Sequence, residues 1–342
     1  MSEKRDLRSL NIDELGEVLA ALGAPKFRTK QVYAWLQSGV SSFDGMTNVP
    51  KSLRAQLNEI GYIAVAEVEA RFDSKLDETV KYLFKLHDGL LIESVVMKYH
   101  HGYSICISTQ VGCRMGCSFC ASTINGLARS LTAGEMLAQI TSASENLGVR
   151  ISNVVLMGMG EPFDNYDNVV RFLELVGDEN GPGIGMRHIS LSTCGRVDGI
   201  EKLKELNLQL TLSISLHAPN DEVRTRIMPI NRRWGVDELL DACRGYIAAT
   251  GRRISFEYAM IKDVNDTDAC AEELADKLHG MLCHVNLIPA NEVRENDYQR
   301  SSDARLHRFK GLLERRGLTV TVRRTLGSDI SASCGQLRQG YK

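Results

Sequence analysis

From residue 104 onward the chain alternates short apolar, β-branched runs with longer stretches of 3.6-residue period. Runs at 104–109, 153–157, 188–193, 209–216, 254–261, 284–289 and 318–323 read as strands. Between them, 133–147, 165–176, 236–250, 268–281 and 302–315 read as helices. That rhythm builds right-handed βαβ units and a parallel sheet covered by helices. Six or so units with apolar strands predict a partly closed (β/α)6-type barrel, and a doubly wound open sheet shares the same alternation. Upstream, 12–22, 29–38 and 51–60 read as helices broken by Gly23, Gly39 and the Pro50 turn. The predicted α/β chain therefore has three parts: a small helical domain over 1–65, a short antiparallel β linker segment over 66–99, and the barrel over 100–342.

The chemistry-bearing residues fall where the predicted strands end. Cys113, Cys117 and Cys120 follow the first run, and Gly158-Met159-Gly160-Glu161-Pro162 follows the second. Ser192-Thr193 closes the third and Ser215-Leu216-His217 the fourth, Asn291 follows the sixth, and Cys334 follows the last. Carboxyl ends of parallel strands are where ligand sites assemble in a barrel and in an open sheet alike, so this locates the site without choosing the topology.

The spacing C-x3-C-x2-C carries the sharpest chemical signal. Three thiolates can hold three irons of a [4Fe–4S] cluster and leave the fourth open. An open iron is what reductive cleavage of S-adenosylmethionine requires, so the chain reads as a radical enzyme. A structural zinc would need four ligands in paired C-x2-C units, and one such pair is present. In the Gly158–Pro162 turn, glycines let backbone approach a ligand and Glu161 can accept from an ammonium, which suits the amino-acid end of S-adenosylmethionine. Ser192, Ser215, His217 and Asn291 are polar strand ends able to contact its ribose, carboxylate and adenine.

Cys106, on the strand leading to the triplet, and Cys334, flanked by Gly335, are not spaced as cluster ligands. Cys194, Cys243, Cys270 and Cys283 read as core residues. Glu93, inside the apolar run 90–96, reads as a side chain pointing to water from a half-buried strand. The stretch Lys26–Trp35 mixes cations with Phe27, Tyr33 and Trp35; it either grips RNA or forms the core of a helical module.

An apolar content of 43% and a charged content of 25% are those of an ordinary globular protein. No run reaches membrane-span length and the first seven residues hold no apolar stretch, so the expectation is a cytoplasmic protein with no membrane role. In that compartment nine Cys favour ligands, catalytic thiols or core over disulfides. The net charge of −2 hides an asymmetry: from Arg300 to Lys342 ten Lys or Arg face three Asp or Glu, against 31 and 40 in the rest. A basic terminal segment on an acidic body is a candidate phosphate-contacting face.

Across nearly its whole length the chain resembles the RlmN family of radical S-adenosylmethionine adenine carbon-2 methyltransferases. The resemblance rests on Gln110–Ser122, Met157–Pro162, Leu191-Ser192-Thr193, Ser215–Asp221, Met228-Pro229-Ile230-Asn231, Val322–Thr325 and Cys334-Gly335-Gln336-Leu337. It implies a radical SAM barrel, 23S rRNA and tRNA as partners, a one-electron reductant such as flavodoxin, a thiol reductant and a monomeric enzyme. It further implies that Cys113, Cys117 and Cys120 ligate the cluster, and that Gly160, Glu161, Ser192, Ser215, Leu216, His217 and Asn291 hold S-adenosylmethionine. One S-adenosylmethionine methylates Cys334; a second, cleaved at the cluster, activates that methyl group for addition to adenine carbon 2. Cys106 then attacks the Cys334 sulfur, releasing RNA and leaving a disulfide to be reduced, while Glu93 accepts the proton. Alternatives are a carbon-8 methyltransferase of the same superfamily and a zinc-stabilised RNA-binding protein without catalysis.

Overall fold

Strands rich in apolar residues pair side by side into one ten-stranded sheet in this computed structural model, which describes residues 4–291 and 297–337. Arg338 and Lys342 of the basic segment lie outside the described residues. Seven strands run parallel: Gly102–Cys106, Ile151–Leu156, Ile189–Thr193, Thr211–Ser215, Ile254–Met260, Cys283–Pro289 and Val320–Val322. Their order in the sheet is their order in the chain. A doubly wound sheet needs that order to reverse at a switch point. It never reverses, so every right-handed crossover turns to the same side and the helices share one face, as in a barrel. The edge strands Glu67–Asp73 and Val320–Val322 do not pair with each other, which leaves the barrel partly open.

Helices Ala133–Leu147 and Val236–Thr250 lie where their periodicity predicts. The first starts at a capping box, in which Thr132 and Glu135 exchange side-chain bonds to backbone N–H groups, and stops at Gly148 with φ 65°. Helices Val197–Glu205 and Asp221–Ile227 lack a predicted counterpart; the second is only seven residues long, too short for an apolar stripe to repeat. Helix Asp268–Leu278 ends three residues early, just ahead of Gly280 at φ 72°.

The segment expected as a linker is part of the sheet. Strands Glu67–Asp73, Val80–Lys85 and Leu91–Tyr99 form an antiparallel extension whose last member pairs with Gly102–Cys106. The helical segment before it has its own core, built from Leu15, Leu19, Val32, Tyr33, Leu36, Leu53 and Leu57. Tyr33 belongs to that core, and Trp35 is half-buried with its indole N–H on Asn48; Phe27 alone of the three aromatics is exposed, beneath the Arg28 guanidinium.

Candidate active site

Cys113, Cys117 and Cys120 sit in the loop between the paired strands Gln110–Gly112 and Leu127–Ser130. Gly112 closes the loop at φ 79°, where a Cβ would stand 2.0 Å from the Gly126 carbonyl oxygen. That oxygen accepts the Cys113 N–H at 3.0 Å, and the Cys120 N–H turns back to the Cys117 carbonyl at 3.1 Å. The Ser118 N–H pins the loop to Ile227 at 3.0 Å.

All three thiols line one cavity at the carboxyl ends of the parallel strands. Gly160, Glu161, Ser192, Ser215, His217 and Asn291 line it as well. Leu216 does not: it is fully buried, its N–H donating to the Glu257 carbonyl and its own carbonyl accepting from Arg224 Nε at 3.1 Å. The Glu161 carboxylate is occupied by protein donors, with Thr193 Oγ1 at 2.7 Å, the Phe163 N–H at 3.0 Å and the Cys194 N–H at 2.7 Å. These bonds oppose burial, which raises its pKa. These bonds join the second and third strand ends, and the Glu161 N–H ties them to the thiol loop through Gln110 Oε1 at 2.9 Å. His217 takes φ 57°, its Nδ1 accepts the Ala259 N–H at 2.9 Å, and its ring meets Phe119 edge-on. Burial first, then the Arg224 charge, pushes its pKa down to about 3, so the ring is neutral and its Nε2 carries the proton.

The donor set suits a cationic cluster. Burial pushes the Cys113 thiol up to about 12 and holds Cys117 and Cys120 above their ordinary value, and for Cys113 and Cys117 the neighbouring thiols add repulsion. Metal ligation removes those protons and compensates the charge. Among the described residues no three His, Cys, Asp or Glu side chains converge on one metal-ion position. Three thiolates on one loop fit a cluster that takes three protein ligands, whereas a structural zinc takes four.

Cys106 and Cys334 share a second, adjoining cavity with Val95, Met97, Tyr99 and Arg323. Cys334 and Arg323 line both cavities, so Cys334 stands at the seam between the thiol loop and Cys106. Both are free thiols. Burial pushes Cys106 up to about 12, the Cys334 sulfur adds to this, and the Arg323 charge opposes it. Glu93 does not point to water: it is 1% exposed, and its Oε1 lies 3.3 Å from Lys81 Nζ, itself buried. Glu93 stands on the strand face that carries Val95, Met97 and Tyr99. Lys81 Nζ also donates to the Ser331 carbonyl at 3.3 Å, three residues before Cys334.

Three contributors escaped the sequence. Lys81 pairs with Glu93 only through strand register, as a diagonal neighbour across the antiparallel pair. Arg224 is fully buried, and its guanidinium donates to the carbonyls of Leu216, Cys194 and Ser215 and to Asn231 Oδ1. Its place between the Ser215–Asp221 and Met228–Asn231 stretches was the available signal. Cys194, expected in the core, lines the thiol cavity.

Comparison with known proteins agrees with this architecture. Residues 107–276 match the family model of the radical SAM superfamily, and residues 5–63 match that of the ribosomal RNA large subunit methyltransferase N-terminal domain. The chain is 55% identical to a probable dual-specificity RNA methyltransferase RlmN of Alkaliphilus oremlandii, over 99% of both chains. It is 51% identical to the protein of the same description from Clostridium novyi, over 98% of both. A crystal structure of a radical SAM methyltransferase from Sphaerobacter thermophilus superposes with a TM-score of 0.93 at 45% identity, covering 97% of this chain and 99% of that one. With likeness of this degree running through the helical segment, the sheet and the thiol loop alike, the chain belongs to the RlmN family of the radical SAM superfamily.

Proposed function

We propose that this protein methylates carbon 2 of adenosine in 23S rRNA and in tRNA, with Cys334 as the methyl carrier. The observation that carries the reading is the position of Cys334 at the seam of two cavities, one lined by Cys113, Cys117 and Cys120 and the other by Cys106. A carrier thiol needs both neighbours, one where its methyl group is activated and one where its bond to product is broken. A [4Fe–4S] cluster on the three thiolates, bound with S-adenosylmethionine, supplies the electron that cleaves the sulfonium and so makes an unactivated carbon reachable.

The chain's own groups do the rest. Ser192, Ser215 and the Nε2–H of His217 present hydroxyls and a neutral donor to the cavity, fit for ribose and carboxylate oxygens. Adenine carbon 2 must lose a proton after the new carbon bond forms, and Glu93 is the carboxylate on the strand face beside the Cys106 cavity. The Cys106 thiolate then attacks the Cys334 sulfur: the S–S bond forms as the sulfur–carbon bond to product breaks, the departing carbon keeps the electron pair and gains a proton to become the methyl group, and a thiol reductant restores both thiols. Arg323, which lines the cavity shared by the two sulfurs, favours the Cys106 thiolate that this step needs. The first 65 residues serve as the RNA-recognition domain, with exposed Phe27 beneath the Arg28 guanidinium on its surface. A one-electron donor such as flavodoxin supplies the cluster.

The test is a pair of substitutions with RNA product analysis. Cys334→Ala abolishes 2-methyladenosine formation, and Cys106→Ala accumulates protein covalently attached to RNA. Full turnover in either variant refutes the role assigned to that thiol, and 8-methyladenosine as the sole product refutes the carbon-2 assignment.

A further inference from the structure

The thiol loop itself grips the segment that carries Cys334. The Ala121 N–H donates to the Gly335 carbonyl at 2.8 Å, and Ser122 Oγ donates to the Leu337 carbonyl at 2.7 Å. From the far wall, Asn291 Nδ2 donates to the Cys334 carbonyl at 3.0 Å. Ala121 and Ser122 directly follow Cys120 and open the single helical turn Ala121–Thr123. The two chains run close: a Cβ on Gly335, at φ 82°, would stand 3.3 Å from the Phe119 carbonyl oxygen. Of the two bonds from the loop, the one from Ala121 is made by backbone and survives substitution. Ser122, 6% exposed with its hydroxyl bond buried, is the side chain on which the grip depends.

We propose that Ser122 is a positioning residue that couples the thiol site to the methyl carrier. Through the Leu337 carbonyl it ties residues 334–337 to the Cys120 end of the loop, so that filling the site and holding Cys334 at the seam become one event. Ligation fixes the backbone around Cys120, and with it the two donors that follow. Without ligation the loop relaxes and both bonds loosen together, while the Asn291 bond to the Cys334 carbonyl remains. The carrier is then presented to the cavity only when the cavity can use it. This rests on the reading of Cys113, Cys117 and Cys120 as cluster ligands and of Cys334 as carrier.

The test is the rate at which iodoacetamide alkylates Cys334, followed by peptide mass spectrometry on anaerobically loaded protein. Ser122→Ala raises that rate about five-fold, as loss of one neutral hydrogen bond allows, compared with wild type at equal iron and sulfide content. Ser122→Thr, which keeps the hydroxyl, restores the slow rate. In the wild type, removing iron by chelation accelerates alkylation of Cys334, and in Ser122→Ala this acceleration shrinks. Equal Cys334 rates in loaded wild type and loaded Ser122→Ala overturn the proposal. If Ser122→Ala fails to load iron, the wild-type comparison decides, because equal rates with and without iron overturn it too. Asn291→Ala, outside the loop, is expected to raise the rate while leaving its dependence on iron intact. Failure of the carrier reading shows separately, as a Cys334 peptide that never gains a methyl group on incubation with S-adenosylmethionine, whatever its alkylation rate.

Discussion

Single side chains at this site are set by burial before charge. The neutral His217 ring takes up its proton at about 3 when folded against 6.5 ordinarily, because burial disfavours the imidazolium. Its contribution to stability is therefore intact above pH 6.5 and is lost as pH falls toward 3, where the unfolded chain binds a proton that the folded chain refuses. His217→Gln should flatten the acid limb of a plot of Tm against pH; an unchanged limb would show that other groups govern it. Cys106 runs the opposite way: raised to about 12, it stays protonated at neutral pH. Release of RNA from Cys334 should accelerate as pH rises through 7 to 9 in a single-turnover chase, and a flat profile would place the slow step elsewhere. Glu93 and Lys81 form a pair whose single members cannot be removed cleanly. Glu93→Gln leaves a buried ammonium and should cost about 3–5 kcal/mol in addition to any effect on proton transfer. Lys81→Met combined with Glu93→Gln should recover most of the melting temperature but not methylation, and recovery of both would remove Glu93 from the chemistry.

At the level of elements, the thiol loop is a closed turn whose shape depends on backbone. Gly112 has φ 79° and no room for a Cβ, the obstacle being the Gly126 carbonyl rather than a movable side chain. Gly112→Ala should therefore lower bound iron and sulfide several-fold while leaving far-ultraviolet circular dichroism unchanged, and wild-type loading in that variant would show that the loop tolerates reshaping. Elements with strong periodicity were legible, as helices Ala133–Leu147 and Val236–Thr250 show. Short ones were not: Asp221–Ile227 is held by its Asn220 cap and by buried Arg224, which bonds carbonyls from two neighbouring strand ends. Segment 66–99 was legible as β structure but not as part of the main sheet, because pairing is a long-range property that composition does not record.

Across the whole molecule, the helical segment is locked to the barrel rather than tethered. Asp6 accepts from Thr132 Oγ1 at 2.7 Å, Ser9 Oγ accepts the Gly134 N–H at 2.8 Å, and Arg8 Nη2 donates to Thr141 Oγ1 at 2.8 Å. All three bonds fall on the first three turns of helix Ala133–Leu147 or its cap, and Tyr33 reaches Asp178 at 2.7 Å. Removal of residues 1–65 should lower the melting temperature of the remainder by several degrees as well as weaken RNA binding. An undiminished Tm would mean that the contacts contribute orientation alone.

The chain announced its chemistry locally. Thiol spacing, the glycine turn at 158–162 and the alternation of strand and helix are all short-range patterns, and short-range patterns are what a sequence displays directly. Which strand lies beside which, that Lys81 meets Glu93, that Glu161 is already occupied by Thr193 and Cys194, and that Ser122 holds Leu337 emerged only on folding. Each of these joins residues distant along the chain, and their partners are selected by strand register and close packing, which no local stretch of sequence contains.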